Sequence, residues 1–191
     1  MIVTPAPAAI VLAAGASTRM GQPKALLEFH GRSFVRCAVE LAQRAGCAPI
    51  VVVTGAVDLA DQDLPVLLVH NPTWPQGQLG SLQRGLAALD DPAGVLVLTV
   101  DRPHLAVATV VTLVAASRTS PQFSWQPLHN GRRGHPVIYP RSLLPLLAAL
   151  PPTADPRELL RSHEELRRTI TVDDPAIHDN LDSPGDLARL R

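Results

Sequence analysis

Lysine is nearly missing from this chain. Of its 17 basic residues all but Lys24 are arginine. Aromatic residues are also scarce, at 3% against 46% hydrophobic overall. A core must therefore be built from Val, Leu, Ile and Ala, which suits an α/β protein with a parallel sheet. An excess of one charge is lacking too, since the 17 basic residues face 17 acidic ones. That balance excludes a broad electrostatic footprint for nucleic acid or an anionic membrane, so any phosphate binding is local. Only Cys37 and Cys47 are cysteines. With no His cluster nearby in sequence they form no zinc site and read as buried thiols, and without a disulfide framework a reducing cytoplasm is expected. No apolar run reaches bilayer length, and the first residues carry no basic segment, so neither a membrane anchor nor a signal peptide is expected. Internal repeats, low-complexity tracts and linkers are not found, and residues 1–191 read as one domain.

What is present is concentrated at residues 12–27. The apolar run Ala8-Ala9-Ile10-Val11-Leu12-Ala13 reads as a buried strand, and it empties into Ala14-Gly15-Ala16-Ser17-Thr18-Arg19-Met20-Gly21-Gln22-Pro23-Lys24. Such a loop turns backbone N–H groups toward an anion, and Arg19 and Lys24 add charge. A lone ammonium suits a crowded phosphate site better than a planar guanidinium. The spacing is that of neither common nucleotide motif. Gly15 and Gly21 are followed by Lys24 three residues on, not adjacent as in a P-loop, and G-x-G-x-x-G is absent.

Along the chain, Ser33 reads as the N-cap of a helix ending near Gly46, and residues 50–54 and 65–69 as strands. The irregular stretch 70–81, with Trp74 and Gly77, leads into a helix over 81–89. Residues 94–101 form the strongest strand pattern and end in Asp101, before a helix at 106–116. Later come strands near 122–126, 137–139 and 169–172, and helices at 142–150, interrupted by Pro145, and 157–165. This alternation predicts a three-layer α/β fold, Rossmann-like, with a mostly parallel central sheet. Ligands in such sheets bind at the carboxyl ends of the strands. The glycine loop, Thr54, the Trp74 loop and Asp101 all fall at that edge.

The run Leu12-Ala-Ala-Gly-x-Ser-x-Arg-Met-Gly-x-x-Lys24-Ala-Leu-Leu resembles the signature of the nucleotidyltransferases related to MobA and MocA, which make molybdenum-cofactor dinucleotides. Asn71-Pro-x-Trp74-x-x-Gly77-x-x-x-Ser81, Asp101-Arg102-Pro103, Gly134-His135-Pro136 and Asn180-Leu181-Asp182-Ser183-Pro184 are similar to further family segments, in the same order along nearly the whole chain. The resemblance implies that Ala14, Gly15, Arg19 and Lys24 hold a triphosphate, with Leu12, Ala13, Thr54, Gly80 and Ser81 also binding the nucleotide. It implies that Asp101 binds Mg²⁺, with Asp182 as second ligand. Asn180, where the family more often has Asp, leaves that second ligand open. Lys24, Arg19 and Asp101 would carry the chemistry.

Leu12-Ala-Ala-Gly15 resembles the CTP-using branch more than the GTP-using one. The implied reaction is transfer of CMP from CTP to molybdopterin, releasing pyrophosphate, with a molybdoenzyme as a partner for the product. A sugar or alditol phosphate acceptor, the use of GTP, and a cofactor-binding chaperone without turnover, are the alternatives. Trp74 reads equally as packing or as pocket lining. His135 reads as structural or substrate-side, and Arg132 and Arg133 as exposed charges or as a grip on an anionic acceptor. Physically the reaction joins two anions, so positioning and electrostatic relief carry catalysis and no nucleophile on the protein is needed.

Overall fold

The computed structural model describes residues 5–151 and 153–189, with the side chain of Arg19 outside that description. In chain order the elements are β1 (Ala8–Leu12), a hairpin of β2 (Glu28–Phe29) and β3 (Arg32–Ser33), α1 (Phe34–Arg44), β4 (Ile50–Thr54) and β5 (Leu67–His70). Then follow α2 (Gln78–Ala87), β6 (Gly94–Thr99), α3 (Val107–Thr119), β7 (Ser124–His129), β8 (Arg132–Arg133) and β9 (Val137–Pro140). The chain ends with α4 (Leu144–Ala149), α5 (Pro156–Ser162), β10 (Arg167–Thr171) and α6 (Pro184–Ala188).

The main sheet has the order β10-β7-β9-β6-β1-β4-β5, with β8 attached to β7. β1 pairs in parallel with β4 and β6, β4 with β5, and β10 with β7. β9 runs antiparallel between β6 and β7. This is the expected mostly parallel α/β architecture. Alternate residues of each central strand enter two different cores. Ala9, Val11, Val52, Leu96 and Leu98 pack with Phe34 and Val35 of α1 and Leu113 of α3. Ala8, Ile10, Val51, Val53, Val95 and Val97 pack with Leu82 of α2, Leu147 of α4 and Leu160 of α5. Burial on both faces is why β1 reads as a continuous apolar run. Each fully buried aliphatic side chain there contributes roughly 1.5–3 kcal/mol.

Several boundaries differ from the expected ones. Ser33 stands at the N-cap of α1 but makes no capping bond, because it is the last residue of β3, paired with Glu28. The hairpin turns on His30 and Gly31, both at positive φ, a two-residue turn that no Asn-Gly or Asp-Gly pair announces. α2 begins at Gln78, three residues early, because Gly77 at φ +127 ends the preceding loop in a conformation open to glycine. Pro145 does not interrupt its helix: α4 starts at Leu144, so the proline falls in the first turn, where its missing N–H is harmless. The site follows from the topology. The carboxyl ends of β1, β4 and β6 share one edge, with Leu12 in register with Val53 and Thr99. There the order of connections reverses on either side of β1.

Candidate active site

The loop after β1 is held from both sides. Ala13 N donates to Val53 O at 3.0 Å, and Ala14 O accepts from Ala56 N at 2.9 Å. Gly55 between them leaves no room for a side chain: a Cβ there would lie 2.6 Å from Ala14 O and 2.8 Å from Trp74 Cβ. Beyond Gly15 the loop folds on itself. Ser17 adopts φ +54, its Oγ accepts from Lys24 N at 3.1 Å, and Met20 N donates to Ser17 O at 2.9 Å. Lys24 Nζ is thereby aimed at the carboxylate of Asp182, with which it forms an ion pair. Asp182 is itself fixed by the capping box of α6, where Asp186 Oδ2 accepts from Asp182 N at 3.0 Å and Ser183 N at 2.8 Å. A bond from Ser183 Oγ at 2.8 Å, and after it those two backbone bonds, hold the Asp186 carboxyl below its usual range.

Asp101 lies two residues beyond the end of β6. Its Oδ1 accepts from Thr99 Oγ1 at 2.5 Å and from Arg102 Nη1 at 3.0 Å. Both bonds fall on one oxygen, which leaves Oδ2 for a further ligand. The C-terminal segment is laid across this strand end. Leu181 N donates to Asp101 O at 2.9 Å, Arg102 Nη2 donates to Asn180 Oδ1, and His104 Nε2 lies 3.4 Å from Asp179.

Two clefts open here. The smaller, about 330 Å³, is lined by Leu12, Ala14, Gly15, Lys24, Trp74, Ser81 and Asp101, with Ser17, Gln78 and Thr99. Trp74 thus both packs on Gly55 and lines a pocket. Ser81 is buried and accepts from Asn71 Nδ2 at 3.0 Å, while Asn71 Oδ1 takes bonds from Thr73 N and Oγ1. The larger cleft, about 490 Å³, shares Leu12, Gln78 and Thr99 with the first. It is walled by Arg102, Arg132, Arg133, Arg157, Arg161 and Arg167, with Asp155 its one acidic residue. His135 lies in this second cleft, its pKa pushed down to about 4 by burial and next by Arg102, so the ring is neutral at pH 7.

The structure thus gathers Leu12, Ala14, Gly15, Lys24, Ser81, Trp74 and Asp101 around one cleft and puts His135 in the adjoining one. Ala13, Thr54 and Gly80 line neither: Ala13 is buried at the strand end, Thr54 faces His70 Nδ1 at 3.4 Å, and Gly80 lies in the first turn of α2. Asp182 borders a hollow with Ser17, Thr18 and Lys24. The side chain of Arg19 lies outside the described residues. Sequence reasoning did not single out Gln78, Thr99 or Arg102. The available signal for Arg102 was its place directly after a strand-end carboxylate.

Among the described residues no group of three His, Cys, Asp or Glu side chains could hold a metal. A hard divalent cation on a nucleotide does not need one, since phosphate oxygens and water complete its shell. The open Oδ2 of Asp101, at a part-exposed cleft wall, fits that requirement.

A glycine loop, a lysine and a strand-end carboxylate, converging beside a second, cationic cleft, define a nucleotidyltransferase. Residues 9–166 match the MobA-like NTP transferase domain, and the chain belongs to that family. It is 33% identical to a nicotine blue oxidoreductase of Paenarthrobacter nicotinovorans, over 95% of this chain and 94% of that protein. It is 31% identical to a molybdenum cofactor guanylyltransferase of Xanthomonas euvesicatoria (95% and 92%) and 26% identical to a molybdenum cofactor cytidylyltransferase of Escherichia coli (93% and 92%). The crystal structure of Rv0371c from Mycobacterium tuberculosis shares the fold, with a TM-score of 0.80 at 23% identity over 98% of both chains. No described helix is long and apolar enough to cross a membrane.

Proposed function

We propose that the chain transfers a nucleotidyl group, CMP from CTP, to a phosphorylated acceptor of the molybdopterin type, and releases pyrophosphate. The observation that carries this reading is the junction of the two clefts at Leu12, Gln78 and Thr99, one cleft ending in the glycine loop and Lys24, the other walled by arginine. The names of two relatives support the acceptor, and Leu12-Ala-Ala-Gly15 favours CTP. A molybdoenzyme would receive the product.

In this reading Ala14, Gly15 and Lys24 bind the triphosphate, and Ser81, oriented by Asn71, borders the nucleoside. Asp101 and Asp182 would hold a divalent cation, Mg²⁺ by preference. The manganese complex of Rv0371c supports a cation of this charge. When bound, such a cation neutralises charge on the phosphates. An acceptor phosphate oxygen bonds to the α-phosphorus while the bond to the bridging oxygen breaks, and the electron pair leaves with pyrophosphate. The attacking monoester is already largely ionised near neutral pH, so no side chain need remove a proton. The enzyme acts by alignment, with Lys24 offsetting charge on the departing group.

A panel of nucleoside triphosphates with Mg²⁺ tests this, against molybdopterin, a sugar phosphate and an alditol phosphate. Products are identified by mass. Cytosine dinucleotide and pyrophosphate are the expected products. A guanine product, or a different acceptor, would replace those parts of the assignment. No pyrophosphate with any pair would leave a binding module of this fold. One observation favours a second reading, hydride transfer: the 33% identical relative named an oxidoreductase. The chain lacks G-x-G-x-x-G. NADH or NADPH oxidation by nicotine blue, without pyrophosphate release, would establish it instead.

A further inference from the structure

Arg102 is 9% exposed, and burial pulls its pKa down. Its partners are few for a buried cation. Nη1 donates to Thr99 Oγ1 at 2.6 Å and to Asp101 Oδ1 at 3.0 Å, and Nη2 donates to the neutral Asn180. Its Nε has no partner among the described residues. The one carboxylate in direct contact is therefore Asp101. Asp182 and Asp179 act on it at longer range, and Arg157 opposes them. If Asp101 serves a divalent cation, as proposed above, Arg102 must share its counter-ion and becomes a buried charge seeking a new one. The same cleft wall carries a second orphan, Nδ1 of His135, on a ring held neutral. Buried polar groups without partners in one cavity point to a ligand that satisfies them.

We propose that Arg102 is the specificity-determining residue for the acceptor, receiving the dianionic phosphate of a phosphate monoester at the junction of the two clefts. This rests on the transferase reading. Of the other arginines on this wall, Arg133 and Arg167 are committed to Glu164. Arg132, Arg157 and Arg161 are exposed at the surface. Arg102 alone is both buried and adjacent to Asp101, so it alone can place the acceptor's oxygen next to the nucleotide. A planar guanidinium with several N–H donors can bind phosphate through two oxygens while still touching Asn180.

The test uses the full chain and glycerol phosphate as a probe, read by ³¹P line broadening, alongside steady-state kinetics with whichever acceptor turns over. Arg102→Gln is expected to abolish the broadening and to raise the acceptor KM roughly 10- to 100-fold, with CTP affinity within about twofold. Arg102→Lys, which keeps the charge without the fork, falls between the two. Loss of affinity for CTP and acceptor alike would make Arg102 a bolt for the C-terminal segment and overturn the proposal. So would broadening that survives Arg102→Gln. If Arg102→Gln does not fold, Arg102→Lys is read alone: weaker probe binding at unchanged CTP affinity supports the assignment, and unchanged probe binding ends it. Should no acceptor turn over while the broadening still depends on Arg102, the transferase reading fails and the anion site stands.

Discussion

Lys24 and Asp182, 158 positions apart in the chain, form an ion pair at the mouth of the glycine loop. The residue expected to grip a triphosphate and the residue expected to hold its metal are each other's partner. A cation–nucleotide complex offers a phosphate to one and a positive charge to the other, so both can exchange together. A bare triphosphate would take Lys24 from Asp182 and face that carboxylate's repulsion. Asp182→Asn should therefore tighten CTP binding in the presence of a chelator, by up to roughly tenfold, while lowering Mg²⁺-dependent transfer. Titration calorimetry with and without Mg²⁺ measures both. Equal metal-free affinities in the two proteins would dissociate the pair from ligand binding. Lys24→Ala should impair triphosphate binding more than Lys24→Arg does.

Asp101 has two duties, and the substitutions at this position should separate them. Asp101→Ala removes the proposed cation ligand and also the carboxylate nearest a buried arginine. Breaking a buried pair in this way costs about 3–5 kcal/mol. Asp101→Asn keeps an acceptor for Thr99 and Arg102, so it should unfold later in urea than the alanine variant. Both should lose transfer by at least about 100-fold, the loss of some 2.7 kcal/mol of transition-state stabilisation. Wild-type transfer in either variant would remove Asp101 from the chemistry.

The parts of this molecule that were legible in the sequence are those whose cause is local. β1, β4 and β6 announce themselves because a strand buried on both faces must be apolar throughout. The glycine loop and Asp101 stand at the ends of those runs. The hairpin at 28–33 was not legible: its strands are two residues long, and His30 takes a positive φ without the usual turn chemistry. Nor was the insertion of β9 between β6 and β7, which depends on pairing with β6 across the whole of α3 and β7. Arg102 was hidden for a similar reason. It is one arginine among many until Asn180, 78 residues later, closes over it. Thr54 closes β4 beside His70 Nδ1 and Gly80 lies in the first turn of α2, both near the strand ends where the alternation of elements put them.

His135 gives the fold a defined acid sensitivity. Its folded pKa, pushed down to about 4, lies below the ordinary 6.5. Between those values the unfolded chain binds a proton that the folded chain refuses, so ν_U exceeds ν_N and stability rises with pH across that window. The contribution is complete above about pH 6.5 and is lost as the pH falls toward 4, amounting to at most about 3 kcal/mol. Urea midpoints from pH 4 to 7 should fall on acidification in the wild-type chain. The slope should be shallower in His135→Gln, which does not titrate. Parallel slopes in the two proteins would assign the acid sensitivity to other groups.

Gly55 tests whether the glycine loop is held in place from behind. It is not at positive φ, so the backbone alone would admit alanine there. The obstacle is space: the added Cβ would lie 2.6 Å from Ala14 O and 2.8 Å from both Cβ and Cγ of Trp74. The first of these contacts is with backbone, which cannot swing aside as the end of a flexible side chain can. Gly55→Ala should therefore push the loop at Ala14 and Trp74 outward together and destabilise the fold by about 1–3 kcal/mol, as overpacking does. Because both displaced residues line the smaller cleft, CTP affinity should fall while acceptor binding in the cleft beyond Thr99 is spared. Urea unfolding and separate titrations of the two ligands make the comparison. A variant with normal stability but equal loss of both ligands would mean that the two clefts move as one body.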